Sequence, residues 1–159
     1  MAGSDMAEVV FNFLKSDSVA ATLRGYVQGG ATNILEAGDL TEEIITDAID
    51  ARRTAEDYNK AIAIAVQDAG EDEMDRFRKN QFVNVRVYDR DRGYRNLRQC
   101  KLELLDIVKD HFADMTASIG RGHETTFFVG RSGHRWDRIF DIEYEVIRFR
   151  SVVYYAEGD

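Results

Sequence analysis

The sequence predicts a single α+β domain, in which an antiparallel sheet of about four to five strands carries two to four helices on one face. The 159 residues fit one domain, and 44% of them are hydrophobic, enough to form a core. Apolar residues recur every three or four positions in several segments and alternate with small or polar residues in others. Helices, a hairpin, another helix and further strands follow in that order, which is typical of one sheet covered by helices.

The first predicted helix follows Asp5, which can cap it together with Glu8 in a capping box. A second short helical stretch has Val19 and Leu23 on its apolar side and stops at Gly25. The apolar side of the first helix is formed by Met6, Val9, Val10, Phe13 and Leu14.

Residues 26–40 form a glycine-rich connection, and a further helix is predicted from Asp39 or Thr41 onward. Its polar side is acidic, although Ile44–Thr46 also fits an extended segment. The pattern turns polar from Arg52 to Asn59. The apolar face of this helix consists of Leu40, Ile44, Ile45, Ala48 and Ile49.

Two strands are predicted next, at Ala61–Gln67 and Gln81–Asp89, and the simplest pairing joins them in a hairpin. The second is the clearest strand in the chain, because Val83, Val85 and Val87 all face one way. The segment between the strands, Gly70–Asp75, is predicted to be an acidic loop.

The most regular helical pattern covers Tyr94–Phe112, with Cys100 and Leu104 on its apolar side. A strand at Thr125–Val129 and a turn at Gly130–His134 follow. From Arg135 the chain is rich in β-forming residues to its end, with Ile142, Tyr144 and Val146 alternating with Glu143 and Glu145.

The charge of the chain is −8, and only five of its 21 basic residues are lysine. This acidity disfavours unspecific binding to nucleic acid. It fits both adaptation to molar salt and ordinary acidic solubility, and both interpretations stay open. The absence of a long apolar run or signal peptide, together with a single cysteine, predicts a protein made in a reducing cytoplasm.

The sequence predicts no catalytic, cofactor-binding or metal-binding residue. The three histidines, His111, His123 and His134, are too loosely spaced for a metal site. The segments Gly120–Gly122 and Gly130–Gly133 lack the Gly-Lys-Ser/Thr ending of a phosphate loop. Acid pairs such as Glu42-Glu43, and Asp141 with Glu143, fit a solvated face, and Cys100 fits the packed side of a helix.

A series of arginines follows the clearest strand and the start of the next helix, and acidic Asp89 and Asp91 interleave with it. The arginines suit nucleic acid, but the acids favour self-association through salt-bridged edges. The series consists of Arg86, Arg90, Arg92, Arg95 and Arg98.

Several segments resemble the tail-terminator (tail-completion) proteins of long-tailed phages and head-tailed archaeal viruses. The apolar opening from Val9 to Val19 is similar to the start of that family, and so is the short second helix ending in Leu23-Arg24-Gly25. Val83-Asn84-Val85-Arg86-Val87-Tyr88 resembles its Val-x-Val-x-Val-Tyr strand. The apolar strand at Ala61–Val66, the following helix and the ending with Trp136 and Ile147-Arg148-Phe149 are also similar. An acidic insertion at about residues 28–59 departs from the family, which has a shorter loop there.

The resemblance implies a structural virion protein that works without catalysis, cofactor or membrane. Such proteins form a ring, typically a hexamer, that ends the tail tube and meets the neck or head-completion protein. Viral DNA passes through the ring without specific binding. Another head–tail joining protein and a cytosolic oligomeric binding domain are the alternatives, and an enzyme is the weakest reading.

We hypothesise that the hairpin tip and the insertion at 28–59 make axial contacts in such a ring, because both are polar and rich in glycine. The charged residues at the tip are Glu71, Asp72, Glu73 and Asp75.

Overall fold

A computed structural model describes residues 6–90, 94–117, 128–129 and 133–154 of the chain. The helices in these ranges are α1 (Met6–Ser16), α2 (Ala21–Arg24), α3 (Glu42–Thr54) and α4 (Tyr94–Ala117). The strands are β1 (Ile34–Glu36), β2 (Ala63–Glu73), β3 (Arg78–Asp89), β4 (Phe128–Val129), β5 (Gly133–Asp137) and β6 (Ile142–Tyr154). No helix in the described ranges is long and apolar enough to cross a bilayer.

The described strands form one sheet in the order β1-β2-β3-β6-β4, and β5 also pairs with β6. The α+β prediction is confirmed, and the sheet is mostly antiparallel. The β2–β3 hairpin is confirmed as well, with pairs from Ala63↔Tyr88 to Glu73↔Lys79. One pair is parallel, because β1 joins β2 through Ile34↔Ile64 and the two following pairs. The glycine-rich connection therefore contains an edge strand that is too short to show a periodic pattern.

The two faces of the sheet carry separate cores. The larger core packs α1, α2 and α4 against the valine side of β3, with Val10, Leu23, Val85, Leu104 and Phe149 among its buried members. The smaller core packs α3 against the opposite side of the strands, where its members are Leu40, Ile45, Ala48, Ile49, Ile62, Ala63, Ala65, Tyr88 and Ile142. Three helices thus lie on one face as expected, and α3 covers one end of the other. This helix begins after Thr41, whose hydroxyl oxygen accepts a hydrogen bond from the Ile44 amide at 3.2 Å.

A buried ion pair joins α3 to the end of β3. Arg52 Nη1 lies 2.8 Å from Asp89 Oδ1, and the two side chains are 1% and 0% exposed. Arg52 Nη1 also donates to the carbonyl of Lys60 at 2.9 Å. Asn96 of α4 donates from its side-chain amide to Asp89 Oδ2 at 3.3 Å and to the carbonyl of Tyr58. One polar network therefore ties together α3, the segment before β2, β3 and α4.

The predicted Gly70–Asp75 loop is wrong, because β2 continues to Glu73. The strand absorbs an irregularity between Asp68 and Glu71, where Gly70 adopts a φ of +91° that favours glycine. The tight turn covers residues 74–77 and is closed by a hydrogen bond from the Met74 amide to the Arg78 carbonyl at 3.0 Å.

Other boundaries also differ from the prediction. Gly133 and His134 belong to β5 rather than to a turn. Val19 is 44% exposed, so it does not continue the apolar side, although Leu23 is buried. The predicted cap at Asp5, residues 125–127 of the predicted strand and residues 130–132 lie outside the described ranges. Residues 28–59, the predicted insertion, contain β1 and α3 and contribute to both faces of the sheet.

Candidate assembly surfaces

The outer half of the β2–β3 hairpin forms a charged projection that we call the acidic arm, residues 67–81. Strand β1 pairs with β2 only as far as Val66, so within the described residues the outer edge of β2 has no strand partner from Gln67 onward. Burial falls along β2, from fully buried residues at 63–66 to exposed residues at 71–73. The β2 side of the arm therefore leaves the core and presents an open strand edge, whereas its β3 side stays paired with β6 as far as Arg78↔Tyr154.

The four acidic residues predicted for axial contacts all lie on this arm, and they divide into two pairs. Glu71 Oε2 lies 2.9 Å from Lys79 Nζ, and this hydrogen bond lowers the pKa of Glu71. Arg78 donates to Asp75 Oδ2 from two nitrogens, at 2.9 and 2.8 Å, and this contact lowers the pKa of Asp75.

The other pair, Asp72 and Glu73, is exposed. The carboxylates of these two residues make no ion pair or side-chain hydrogen bond with the part of the chain that the structure describes. Two of the four predicted residues are therefore neutralised within the arm, and two present their charge to the outside.

A second surface lies on the open part of the sheet face that α3 covers only at one end. It is a cavity of about 370 Å³ that we call the arginine hollow, and none of the described residues that line it is acidic. Side chains alternate along β3 and β6, so the hollow continues the face that carries Tyr88 and Ile142. The hollow is lined by Asn84, Arg86, Arg135, Tyr144, Val146 and Arg148.

Two of the three arginines in the hollow are held in place by neighbouring side chains. Arg86 Nη2 donates to Gln67 Oε1 at 3.0 Å, and the guanidinium lies 5.1 Å from the ring centroid of Tyr144. Arg148 Nε donates to Asn84 Oδ1 at 2.9 Å. Arg135 is exposed and makes no ion pair with the described residues. The hollow thus concentrates fixed positive charge on a domain whose net charge is −8.

A third depression of about 410 Å³ lies between α1 and the edge of β2, where β1 ends. Glu8, Glu36 and Asp68 give it an acidic rim, and Phe11 and Val66 form part of its wall. It lies at the base of the acidic arm.

The described histidines and the cysteine do not form a reactive site. His134 approaches Glu145 Oε1 at 3.6 Å and Glu143 Oε1 at 3.8 Å, while His111 packs beside Phe13. His123 lies outside the described ranges. Within those ranges no group of three His, Cys, Asp or Glu side chains could hold a metal ion. Cys100 is fully buried, and burial raises its pKa to about 12, so the thiol stays protonated.

The arginine series read from the sequence does not form one patch among the described residues. Arg86 lines the hollow, whereas Arg90 donates to the carbonyls of Phe140 and Asp141 at 2.7 and 3.2 Å and holds the β5–β6 turn. Arg98 is exposed on α4. Arg92 and the side chain of Arg95 are not described.

The hollow brings Arg135 and Arg148 beside Arg86, a grouping that the sequence analysis missed. The alternation in the last strand contained a signal for Arg148, but the neighbouring strands were not known.

The described residues thus form an α+β domain that carries an acidic arm and an arginine-lined hollow. No protein-family model matches the chain, and no curated protein matches its sequence. A chain from a solved structure described as "Virion of native gene transfer agent (GTA) particle" has a similar fold, with a TM-score of 0.52. The two chains are 18% identical, and the match covers 95% of this chain and 96% of that one.

Proposed function

We propose that this chain is a structural protein of a virion. The observation that carries the proposal is the fold shared with a component of a gene transfer agent virion, which extends over almost the whole of both chains. Fold likeness alone does not define a role, so the finer assignment rests on additional features.

Within the virion, we assign the chain to the end of the tail tube, as a tail terminator. The segments that resemble tail terminators lie in the elements that build the larger core. The apolar opening forms α1, the Val-x-Val-x-Val-Tyr segment forms the central strand β3, and the following helix is α4. The resemblance therefore concerns the elements that form the core of the domain, and the assignment to the tail end is our proposal.

A terminator acts as a ring, and a closed ring with head-to-tail contacts requires two different, complementary surfaces on each subunit. The acidic arm and the arginine hollow meet this requirement in charge. Tail tube protein and a neck protein are the expected axial partners, and DNA passes through the ring unbound. Assembly by shape and charge needs no catalytic group.

Another head–tail joining protein is the nearest alternative, because the virion component with the similar fold supports both assignments equally. The two roles differ in the partner that the ring binds. A terminator binds the growing end of a tail tube and stops its elongation, whereas a neck protein binds a head connector. A cytosolic binding domain that dimerises through its sheet is the alternative outside virions.

The first test measures the mass of the purified protein by light scattering at low and at molar salt, with negative-stain images of the same fractions. The protein is then mixed with tail tube protein that is polymerising into tubes. We expect rings of about six subunits, formed either alone or on the tube, and tubes that stop growing once capped. A stable dimer indifferent to both salt and tube protein would refute the ring. Rings that bind connectors but leave tube length unchanged would favour the neck protein.

A further inference from the structure

We propose that the acidic arm of one copy docks in the arginine hollow of the next copy, and that this contact closes the ring, in place of the axial contact expected for the arm from the sequence. The inference rests on the proposed function, because it needs several copies in one assembly. It deepens that proposal by naming the two surfaces: Asp72 and Glu73 on the arm, and Arg135 and Arg148 with Arg86 in the hollow.

The arm has the reach and the charge for this contact. From Gln67 to Glu73 the strand extends for about 20 Å beyond the end of β1, at the usual rise of a β-strand. Asp72 and Glu73 lie near its end, exposed and without partners among the described residues. Lys79 pairs with Glu71, and Arg78 pairs with Asp75. Neither base therefore compensates the charge of Asp72 or Glu73.

The hollow offers donors in the geometry that carboxylates prefer. A guanidinium presents paired N–H groups to a carboxylate and forms stronger hydrogen bonds than a neutral donor. The terminal nitrogens of Arg148 and the whole guanidinium of Arg135 make no hydrogen bond with described residues. Arg86 Nε lies buried beside them and has no hydrogen-bond partner in the described part of the chain. Tyr144 and Val146 add an apolar wall to the cavity.

Gln67 at the base of the arm binds Arg86 of its own copy, but the sheet register holds the carboxylates of Asp72 and Glu73 away from that hollow. Glu73 pairs with Lys79, and Lys79 pairs with Val153, whereas Arg86 pairs with Val146 several residues back along the same strands. The contact must therefore join two copies, in the head-to-tail manner that generates rings. Nucleic acid is the less favoured occupant, because the hollow belongs to a domain of net charge −8 that also bears an acidic arm.

Charge reversal on each surface tests the contact. One variant carries Asp72→Arg and Glu73→Arg, a second carries Arg135→Glu and Arg148→Glu, and a third carries all four changes. All four side chains are exposed, so folding is expected to survive and is checked by circular dichroism and thermal unfolding.

We expect each double reversal to weaken ring formation at least tenfold, measured by light scattering, because like charges then face each other. We also expect the fourfold variant, and an equimolar mixture of the two double variants, to form rings again. In the mixture, each reversed surface meets the complementary reversed surface of the other variant. A matched control, Glu43→Arg with Asp47→Arg on the exposed side of α3, changes net charge by the same amount as the arm variant and should leave the rings intact.

The outcomes separate this inference from the proposed function. Wild-type rings that tolerate both double reversals, or reversals that are not rescued by combination, would overturn the docking while the ring survives. A wild-type chain that never forms rings, even on tail tube protein, would overturn both. Unchanged rings together with loss of duplex DNA retention in the hollow variant would assign the hollow to nucleic acid instead.

Discussion

Replacing Arg52 with methionine is expected to remove the guanidinium from the most deeply buried polar network among the described residues. The variant keeps a flexible apolar side chain of similar reach, so α3 still covers the smaller core. It deletes the 2.8 Å contact with Asp89 and the 2.9 Å hydrogen bond to the carbonyl of Lys60. Asp89, which is 0% exposed, loses its closest charge partner.

The expected loss is about 3–5 kcal/mol of unfolding free energy, the usual cost of leaving one member of a buried ion pair unpaired. This is a large share of the roughly 5–15 kcal/mol that stabilises a typical domain. For a chain of this length it corresponds to a fall in Tm of roughly 6–20 °C. The hydrogen bond from Asn96 to Asp89 stays in place, but at 3.3 Å it is long and contributes less than the ion pair.

Urea unfolding at pH 7, followed by circular dichroism, measures this loss, and the chain offers a matched control. Arg53 is the next residue of α3, but its side chain is 64% exposed and its ion pair with Asp50 is long, at 4.0 Å. Arg53→Met should therefore change the unfolding free energy by no more than about 0.5 kcal/mol. The double variant Arg52→Met with Asp89→Leu should recover much of the loss, because no buried charge is then left alone. A loss of unfolding free energy below about 1 kcal/mol for Arg52→Met would refute the reasoning. So would a loss in the double variant that exceeds the sum of the losses in the two single variants.

Three further predictions concern other sites. Cys100 should resist thiol reagents in the folded protein, because burial keeps it protonated, and should react only after unfolding. A cysteine introduced by Leu102→Cys, on the exposed side of α4, should react immediately in the folded protein. Gly70→Ala should cost about 1–2 kcal/mol and speed amide exchange in the arm, since φ is +91° there, while Gly38→Ala, at an open position without positive φ, should be neutral in the same measurements. The hydrogen bond from Lys79 lowers the pKa of Glu71. The contact therefore stabilises the arm above pH 4.5, the ordinary pKa of a glutamate, and this stabilisation is lost as the pH falls through the pKa of Glu71 in the folded protein. An NMR titration should show a higher pKa of Glu71 in Lys79→Met, and an unchanged pKa would contradict the contact.

Local periodicity was sufficient to predict the elements that build the larger core. Val83, Val85 and Val87 alternate on one side of β3, and the helical spacing around Cys100 and Leu104 marks α4. Each of these patterns lies within one element, and burial of one face explains it. Such patterns can be recognised in the sequence without knowing which elements pack against them.

The features that local patterns could not predict all depend on pairing between distant segments. Arg52 and Asp89 are 37 residues apart, and the polar segment around Arg52 has the composition of a solvated stretch. The arginine hollow combines β3, β5 and β6, so Arg86, Arg135 and Arg148 come together only once the strand order is known. The arm was misread for a related reason. Its residues are too polar for a buried strand, yet pairing with β3 extends β2 to Glu73.

The proposed contact between copies also involves exposed apolar side chains at the tip of the acidic arm. Phe77 is 61% and Met74 44% exposed, and the hollow offers Tyr144 and Val146 as an apolar wall. Salt at 1 M shortens the Debye length to about 3 Å and weakens exposed ion pairs, whereas it leaves apolar contacts intact. We therefore expect wild-type rings to persist in molar salt, and rings of Phe77→Ser to form at low salt and dissociate at 1 M. Rings of Phe77→Ser that are as salt-resistant as the wild type would show that the tip contributes nothing, and would leave the contact to the carboxylates and arginines alone.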